Sequence, residues 1–307
     1  MPAPVLNYPV YTLDNRLLIP ADTVLSEEVL ESAIFSHGTG SYKTNSLLMH
    51  GSVRKDIHAL LSRPPYQCIF ADQRQLADIM NLMENVYLSS PILQSLDFFR
   101  ENDFYTYCHI LNVFALTTTL AEQLIEDYHD LIQEAAAGPS HDIGKISVPV
   151  HILRKSVPLT PTELSMVQHH APAGYVLLSY YLQDTRNLAA RVARDHHERK
   201  DGSGYPVGIH LTDRLVEIIA ACDVYDALMS SRPYRPVPYD NRTALEEITG
   251  MAEKGKLSWE VVQVLVAYNR KDRPHYSECK VSRVKRGAPP LGNMYGVTAD
   301  EKNQVAD

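Results

Sequence analysis

Hydrophobic and polar positions divide this chain into a short, mixed beginning and a long helical remainder. Near the start, Val10-Tyr11-Thr12-Leu13, the turn residues Asp14-Asn15 and then Leu17-Leu18-Ile19 predict a short hairpin. Ser26 followed by Glu27-Glu28-Val29 predicts a helix start, with the hydroxyl as N-cap and the acids in the first turn. A Gly/Ser-rich break at Ser36–Ser41 and a second at Arg63-Pro64-Pro65-Tyr66 interrupt the pattern, and Ala71 to Tyr87 returns to helical spacing. Residues 1–90 therefore predict a small mixed α/β domain.

From Ser90 onward, helical periodicity dominates. His109, Val113, Leu116, Leu120 and Leu124 step by four, three, four and four, which places them on one helical face and turns His109 towards the interior. Leu159-Thr160-Pro161-Thr162-Glu163 predicts another helix start, with Thr160 as N-cap, proline at N1 and glutamate at N3. That helix should carry His170. Leu188 to Glu198 and Leu215 to Leu228 predict two more. With no clear strand in this part, residues 91–275 predict an all-α domain. Between Arg270 and Arg286 there are seven Lys/Arg against two Asp/Glu, then a Gly/Pro-rich stretch. Residues 276–307 therefore predict a solvated, flexible extension, with a partner-binding segment as the alternative.

Composition narrows this little. The 307 residues suit one large or two modest domains, and 45% hydrophobic with 21% charged residues is ordinary for a soluble globular protein. No apolar run of about 18 residues predicts a membrane span, and Met1-Pro2-Ala3-Pro4-Val5 has no signal-peptide character. Cys68, Cys108, Cys222 and Cys279 lie far apart, so neither a disulfide framework nor a thiolate zinc site is expected, and the default compartment is the reducing cytoplasm. A net charge of −8 argues against binding along a nucleic-acid polymer, but not against a small phosphate ligand held at a local positive site.

The chemistry lies in seven residues threaded through the helical part: His109, His141-Asp142, His170, His196-His197 and Asp223. Imidazoles and carboxylates suit a pair of divalent ions, and Asp142, flanked by histidines on separate segments, is the natural bridge. The run His141-Asp142-Ile143-Gly144-Lys145 resembles the signature of HD-domain phosphohydrolases. His196-His197-Glu198-Arg199-Lys200-Asp201-Gly202-Ser203-Gly204-Tyr205-Pro206 resembles that of the HD-GYP subfamily, and Asp223-Val224-Tyr225-Asp226 with Arg232-Pro233-Tyr234-Arg235 is similar to its next block. The resemblance covers roughly residues 100 to 270. It implies a helical HD-GYP domain that hydrolyses cyclic di-GMP; with two divalent ions per chain, cleavage is expected to stop at pGpG or to proceed only slowly to GMP. Ligand type favours iron or manganese and leaves zinc open. Two ions about 3.5–4 Å apart can hold a hydroxide between them and clamp an in-line phosphoryl displacement. His109, His141 and Asp223 would complete one ion, His170, His196 and His197 the other.

The neighbouring residues admit two readings each. Lys145, three residues after Asp142, is a candidate to hold a phosphate oxygen and act in catalysis, or a surface lysine. Arg232 and Arg235 are candidates to grip the second phosphate, or to cap the preceding helix. Gly204 and Tyr205 belong to a loop beside the active site in the family, with Tyr205 facing the ligand or packing in its loop. Glu198 is expected to orient a histidine, and Asp226 to be structural, capping or pairing with an arginine. His169, beside a proposed ligand, is expected to pack rather than coordinate. Family members thought to hold three metals have a glutamate four residues before the first histidine; Tyr105 stands there, and a phenol is a poor ligand. Two metals are therefore expected. The alternatives are another (cyclic di)nucleotide as substrate, or a weakly catalytic sensor. A signalling protein that engages the Gly-Tyr-Pro loop or the N-terminal domain is the further partner considered.

Overall fold

A computed structural model of the chain describes residues 3–36, 42–135, 140–232, 235–293 and 297–299. The predicted break after residue 36 falls largely outside them, as do Pro233 and Tyr234. Three two-stranded antiparallel ladders form near the N-terminus: β1 (Val5–Leu6) with β4 (Thr23–Val24), β2 (Val10–Tyr11) with β3 (Leu17–Ile19), and β5 (Thr44–Ser46) with β6 (Tyr87–Ser89). The second is the predicted hairpin. Between them lie α1 (Glu27–Ser36), α2 (Val53–Leu61) and α3 (Gln73–Glu84). Ser26 caps α1 as expected, its hydroxyl accepting the Val29 N–H at 3.2 Å.

After β6 the regular elements named among the described residues are helical, joined by loops with three isolated β-bridges: α4 (Ser90–Asn102), α5 (Phe104–Leu124), α6 (Tyr128–Ala135), a 3₁₀ turn at Ile143–Ser147, α7 (Val150–Leu153), α8 (Pro161–Gln168), α9 (His170–Leu182), α10 (Leu188–Asp195), α11 (Arg214–Met229), α12 (Asn241–Glu253) and α13 (Trp259–Tyr268). The capping box at α8 forms as its sequence predicts: Thr160 Oγ1 accepts the Glu163 N–H and Glu163 accepts the Thr160 N–H. Helix α5 departs from the single apolar face predicted for it. Every residue from His109 to Ala121 is buried, because α5 is the central helix, with α2, α4 and α11 packed around it. His170 opens α9 rather than riding on α8, since the chain breaks at His169.

One apolar cluster runs from Leu6 to Leu265. Helix α1 packs on α9 and α2 on α5, the Leu13 N–H donates to Tyr181 Oη at 2.8 Å, and Arg16 donates to Tyr180 Oη at 2.9 Å. Residue 90 thus marks a change of pattern along the chain, while the packing runs across it.

Of the expected C-terminal extension, residues 276–293 make contacts with α12 and α13. Tyr276–Glu278 form one turn against α13 and Cys279 is buried. Glu246 accepts the N–H groups of Arg286 and Gly287 at 2.8 Å each, Lys285 pairs with Glu247 at 2.9 Å, and Asn293 donates to Tyr239 Oη at 3.0 Å. The basic run is held by acids of α12, a pairing that linear composition does not reveal. No helix among the described residues is long and apolar enough to cross a membrane.

Candidate metal centre

Five segments bring the seven ligand-type side chains to one buried point. Helix α5 supplies His109, the turn before Ile143 supplies His141 and Asp142, the first residue of α9 is His170, the end of α10 supplies His196 and His197, and α11 supplies Asp223. Consecutive histidines can converge because α10 stops at Asp195, and His196 is already its C-cap. Gly144 permits the closest backbone approach. A Cβ built there would lie 1.9 Å from the His170 carbonyl oxygen, so only glycine lets the His-Asp turn press against α9.

Asp142 sits between two groups of imidazoles. Its Oδ2 is 3.4 Å from His109 Nε2 and 3.6 Å from His141 Nε2; its Oδ1 is 3.4 Å from His170 Nε2 and 3.8 Å from His196 Nε2. Within the groups, His109 and His141 approach to 3.4 Å, and His170 lies 3.2 Å from His196 and 3.1 Å from His197. His109, His141 and Asp142 form one potential ion site, and His170, His196 and His197 another. Asp223 differs from the expectation that it serves the first alone: Oδ1 is 3.1 Å from His109 Nε2, while Oδ2 is 3.7 Å from His197 Nδ1.

The outer hydrogen bonds test whether a cation fits. His109 Nδ1 lies 2.6 Å from Asp226 Oδ2, His170 Nδ1 2.5 Å from the Val167 carbonyl and His196 Nδ1 2.9 Å from the Ala193 carbonyl. For His170 and His196, which burial keeps neutral, these acceptors place the ring proton on Nδ1, so their Nε2 lone pairs face one another at 3.2 Å. Facing lone pairs with no proton between them repel, and cations placed there would satisfy them. Burial is the largest influence on His170, His196 and His197, holding them neutral, with His170 pushed down to about 4. Burial also works against the charge on His109, yet Asp226, Asp223 and Asp142 outweigh it and raise it to about 9. Asp142 stays well below the carboxylate range despite its burial, because Lys145 and the histidines favour its charge. The donor set is that of a divalent-cation centre.

The remaining candidates sort by placement. Lys145 Nζ is 2.5 Å from Asp142 Oδ2 with its side chain 12% exposed, at the edge of the cluster. Tyr205 stacks on His197 with ring centres 4.5 Å apart, and its N–H donates to the His197 carbonyl at 3.2 Å. Gly204 makes that fold-back feasible, since a Cβ there would lie 2.4 Å from both Glu198 Cα and the His197 carbonyl oxygen. Arg232 places its guanidinium 4.4 Å from the Tyr105 ring centre, and Tyr105 stacks on His109 at 5.7 Å.

Three expectations need correction. Arg235 is 1% exposed and donates to the carbonyls of Ala227, Leu228 and Ser230, so it caps α11 and is not placed to grip a phosphate. Glu198 orients no histidine; its buried carboxylate accepts the N–H groups of Val207 and Gly208 and shapes the Gly-Tyr-Pro loop. The orienting role falls instead to Asp226, fully buried and paired with His109 rather than with an arginine. Its three-residue spacing from Asp223, within an apolar helix, was the available signal. His169 packs edge-on against Tyr8 and stands outside both ligand groups.

Residues 88–259 match the HD domain family. A cyclic di-GMP phosphodiesterase of Pseudomonas aeruginosa is 39% identical over 189 residues, 59% of this chain and 44% of the relative. A cyclic di-GMP phosphodiesterase of Thermotoga maritima is 36% identical over 180 residues, 57% of this chain and 48% of the relative. A 3'3'-cGAMP-specific phosphodiesterase of Vibrio cholerae is 36% identical over 135 residues, 43% of this chain and 25% of the relative. The chain thus spans about half the length, or less, of these relatives. The family match runs through every segment that carries a ligand-type residue, and the chain therefore belongs to the HD domain family.

Proposed function

We propose that this chain is a metal-dependent phosphodiesterase that cleaves cyclic di-GMP to linear pGpG and converts it slowly to GMP. The observation that carries the proposal is the division of Asp142, whose two oxygens each face a different group of histidines. That arrangement suits one bridging carboxylate between two divalent ions, with His109 and His141 on one side, His170, His196 and His197 on the other, and Asp223 within reach of both. Ions held there, iron or manganese by ligand type with zinc open, would supply Lewis-acid activation of water and of the phosphoryl oxygens.

The chain's own groups then bind and orient. Lys145, at the rim beside Asp142, offers its ammonium to a phosphoryl oxygen where charge develops. Arg232, held over Tyr105, offers a guanidinium on the His109 side. Tyr205 covers His197 and gives a base or phosphate a surface to rest on. An aromatic ring and a guanidinium stand where a third carboxylate ligand would be needed, which supports two ions rather than three. A partner protein that reads substrate occupancy would meet the Gly-Tyr-Pro loop, the part of the site on a surface turn.

The test is incubation of protein carrying two ions per chain with cyclic di-GMP, followed by separation of the nucleotides. Accumulating pGpG, absent with Asp142→Ala, is the expected result. Intact substrate after long incubation of fully loaded protein sinks the proposal, and rapid, complete conversion to GMP at two ions sinks the product assignment. The cGAMP-specific relative, at the same 36% identity as the Thermotoga one but over 135 rather than 180 residues, supports a second reading in which a mixed cyclic dinucleotide is cleaved. Parallel turnover of cGAMP separates the two.

A further inference from the structure

The family match begins at residue 88, yet a side chain from before it reaches the surroundings of the metal centre. Tyr66 lies in a one-turn helix, Tyr66–Cys68, and is 4% exposed. Its hydroxyl donates to Asp226 Oδ1, which lies 160 residues further along the chain. The same oxygen accepts Asn112 Nδ2 at 2.9 Å, and Oδ2 holds His109 Nδ1 at 2.6 Å. Asp226 is fully buried, so no solvent competes for these positions.

An ionised carboxylate can rotate about its Cβ–Cγ bond, and the plane it adopts sets the direction of the imidazole it binds. Donors on the second oxygen fix that plane. The phenol supplies a charge-assisted O–H···O⁻ bond, the stronger kind, to a carboxylate in a dry interior. Tyr66 is itself secured: its ring meets Tyr225 edge-on at 6.5 Å, and Arg273 donates to the Cys68 and Ile69 carbonyls at 3.0 and 2.7 Å.

We infer that Tyr66 is a positioning residue for His109, acting through Asp226, so that the region before residue 88 is a working part of the metal centre. This rests on the reading of His109 as a metal ligand.

The experiment is Mn²⁺ titration of the full chain as wild type, Tyr66→Phe, Asp226→Asn and the double variant, alongside melting temperatures. Tyr107→Phe serves as a control that also loses a phenol hydroxyl bonded to a carboxylate, here the half-buried one on Asp56. Loss of an outer partner of a metal-ligating histidine weakens metal affinity by about 10–100-fold. Asp226→Asn should fall in that range and Tyr66→Phe near its lower end, about tenfold, with Tyr107→Phe unchanged. In the Asp226→Asn background the Tyr66 effect should vanish. Wild-type protein that binds no Mn²⁺ overturns the metal-centre reading and this inference with it. Normal wild-type binding left unchanged by Tyr66→Phe overturns the inference alone, as does a Tyr66 effect that persists undiminished without Asp226.

Discussion

Replacing Gly144 by alanine should damage the metal centre through backbone packing alone. The added Cβ would sit 1.9 Å from the His170 carbonyl oxygen and 2.5 Å from the Gly174 nitrogen. A comfortable carbon–oxygen contact is about 3.3 Å, so the shortfall is about 1.4 Å. Both obstructing atoms are main chain, and no rotamer change relieves them. The His-Asp turn and α9 must therefore part by about 1 Å, which widens the 3.4 Å gap between Asp142 Oδ1 and His170 Nε2. Overpacking of this kind costs about 1–3 kcal/mol, and a displacement near 1 Å at a reacting centre costs about 10²-fold in rate. Gly174→Ala is the matched control, because its nearest contact is the Ala193 Cβ at 3.2 Å. The assay is metal content by elemental analysis, melting temperature, and cyclic di-GMP turnover at saturating metal. Gly144→Ala with wild-type metal content and a melting temperature within about 1 °C would refute the packing argument, since 1 kcal/mol shifts such a domain by at least about 2 °C.

Three further outcomes are expected. Arg235→Met should lower stability by about 2–4 kcal/mol, by leaving the Ala227 and Ser230 carbonyls at the end of α11 without their side-chain donor, and leave the KM of folded protein near wild type; unchanged stability with a tenfold rise in KM would restore a phosphate-gripping role. Burial raises the Glu163 carboxyl, but its bonds to Lys155 and the Thr160 N–H outweigh this and hold it below its usual range. The stability it adds is present above its unfolded pKa of about 4.3 and is lost as pH falls through the lower folded value. Glu163→Gln should thus melt below wild type at pH 7, with the difference closing towards pH 3 and a constant difference ruling the pairing out. Mn²⁺ at about 1,000 times its Kd should stabilise the wild type by about 4 kcal/mol, and a chelator should reverse this. Asp142→Ala should lose most of that gain, and an equal gain in the variant would place the binding elsewhere.

Local signals carried far in this chain. The α8 capping box and the β2–β3 hairpin need only neighbours in sequence, and both form as their residues predict. The seven ligand-type residues were legible because imidazole and carboxylate at those spacings have few other reasons to recur. What each carboxylate and guanidinium touches was less legible. Glu198 and Asp226 each stand close to a proposed ligand and are fully buried, yet one serves a loop and the other a histidine contributed 117 residues away. Arg235 has the spacing of a phosphate clamp, but the turn after α11 folds it inward onto the helix end.

Sequence alone therefore determined the helical class, the helix and hairpin starts, and the inventory of metal-seeking side chains, because periodicity and side-chain chemistry are properties of the chain itself. Tertiary structure decided the rest: that Asp142 divides its oxygens between two histidine groups, that Asp223 reaches both, that Tyr66 leans on Asp226, and that the C-terminal run lies against α12. Each of these joins segments far apart in sequence, and the distance between such segments is set by packing, which no local pattern encodes.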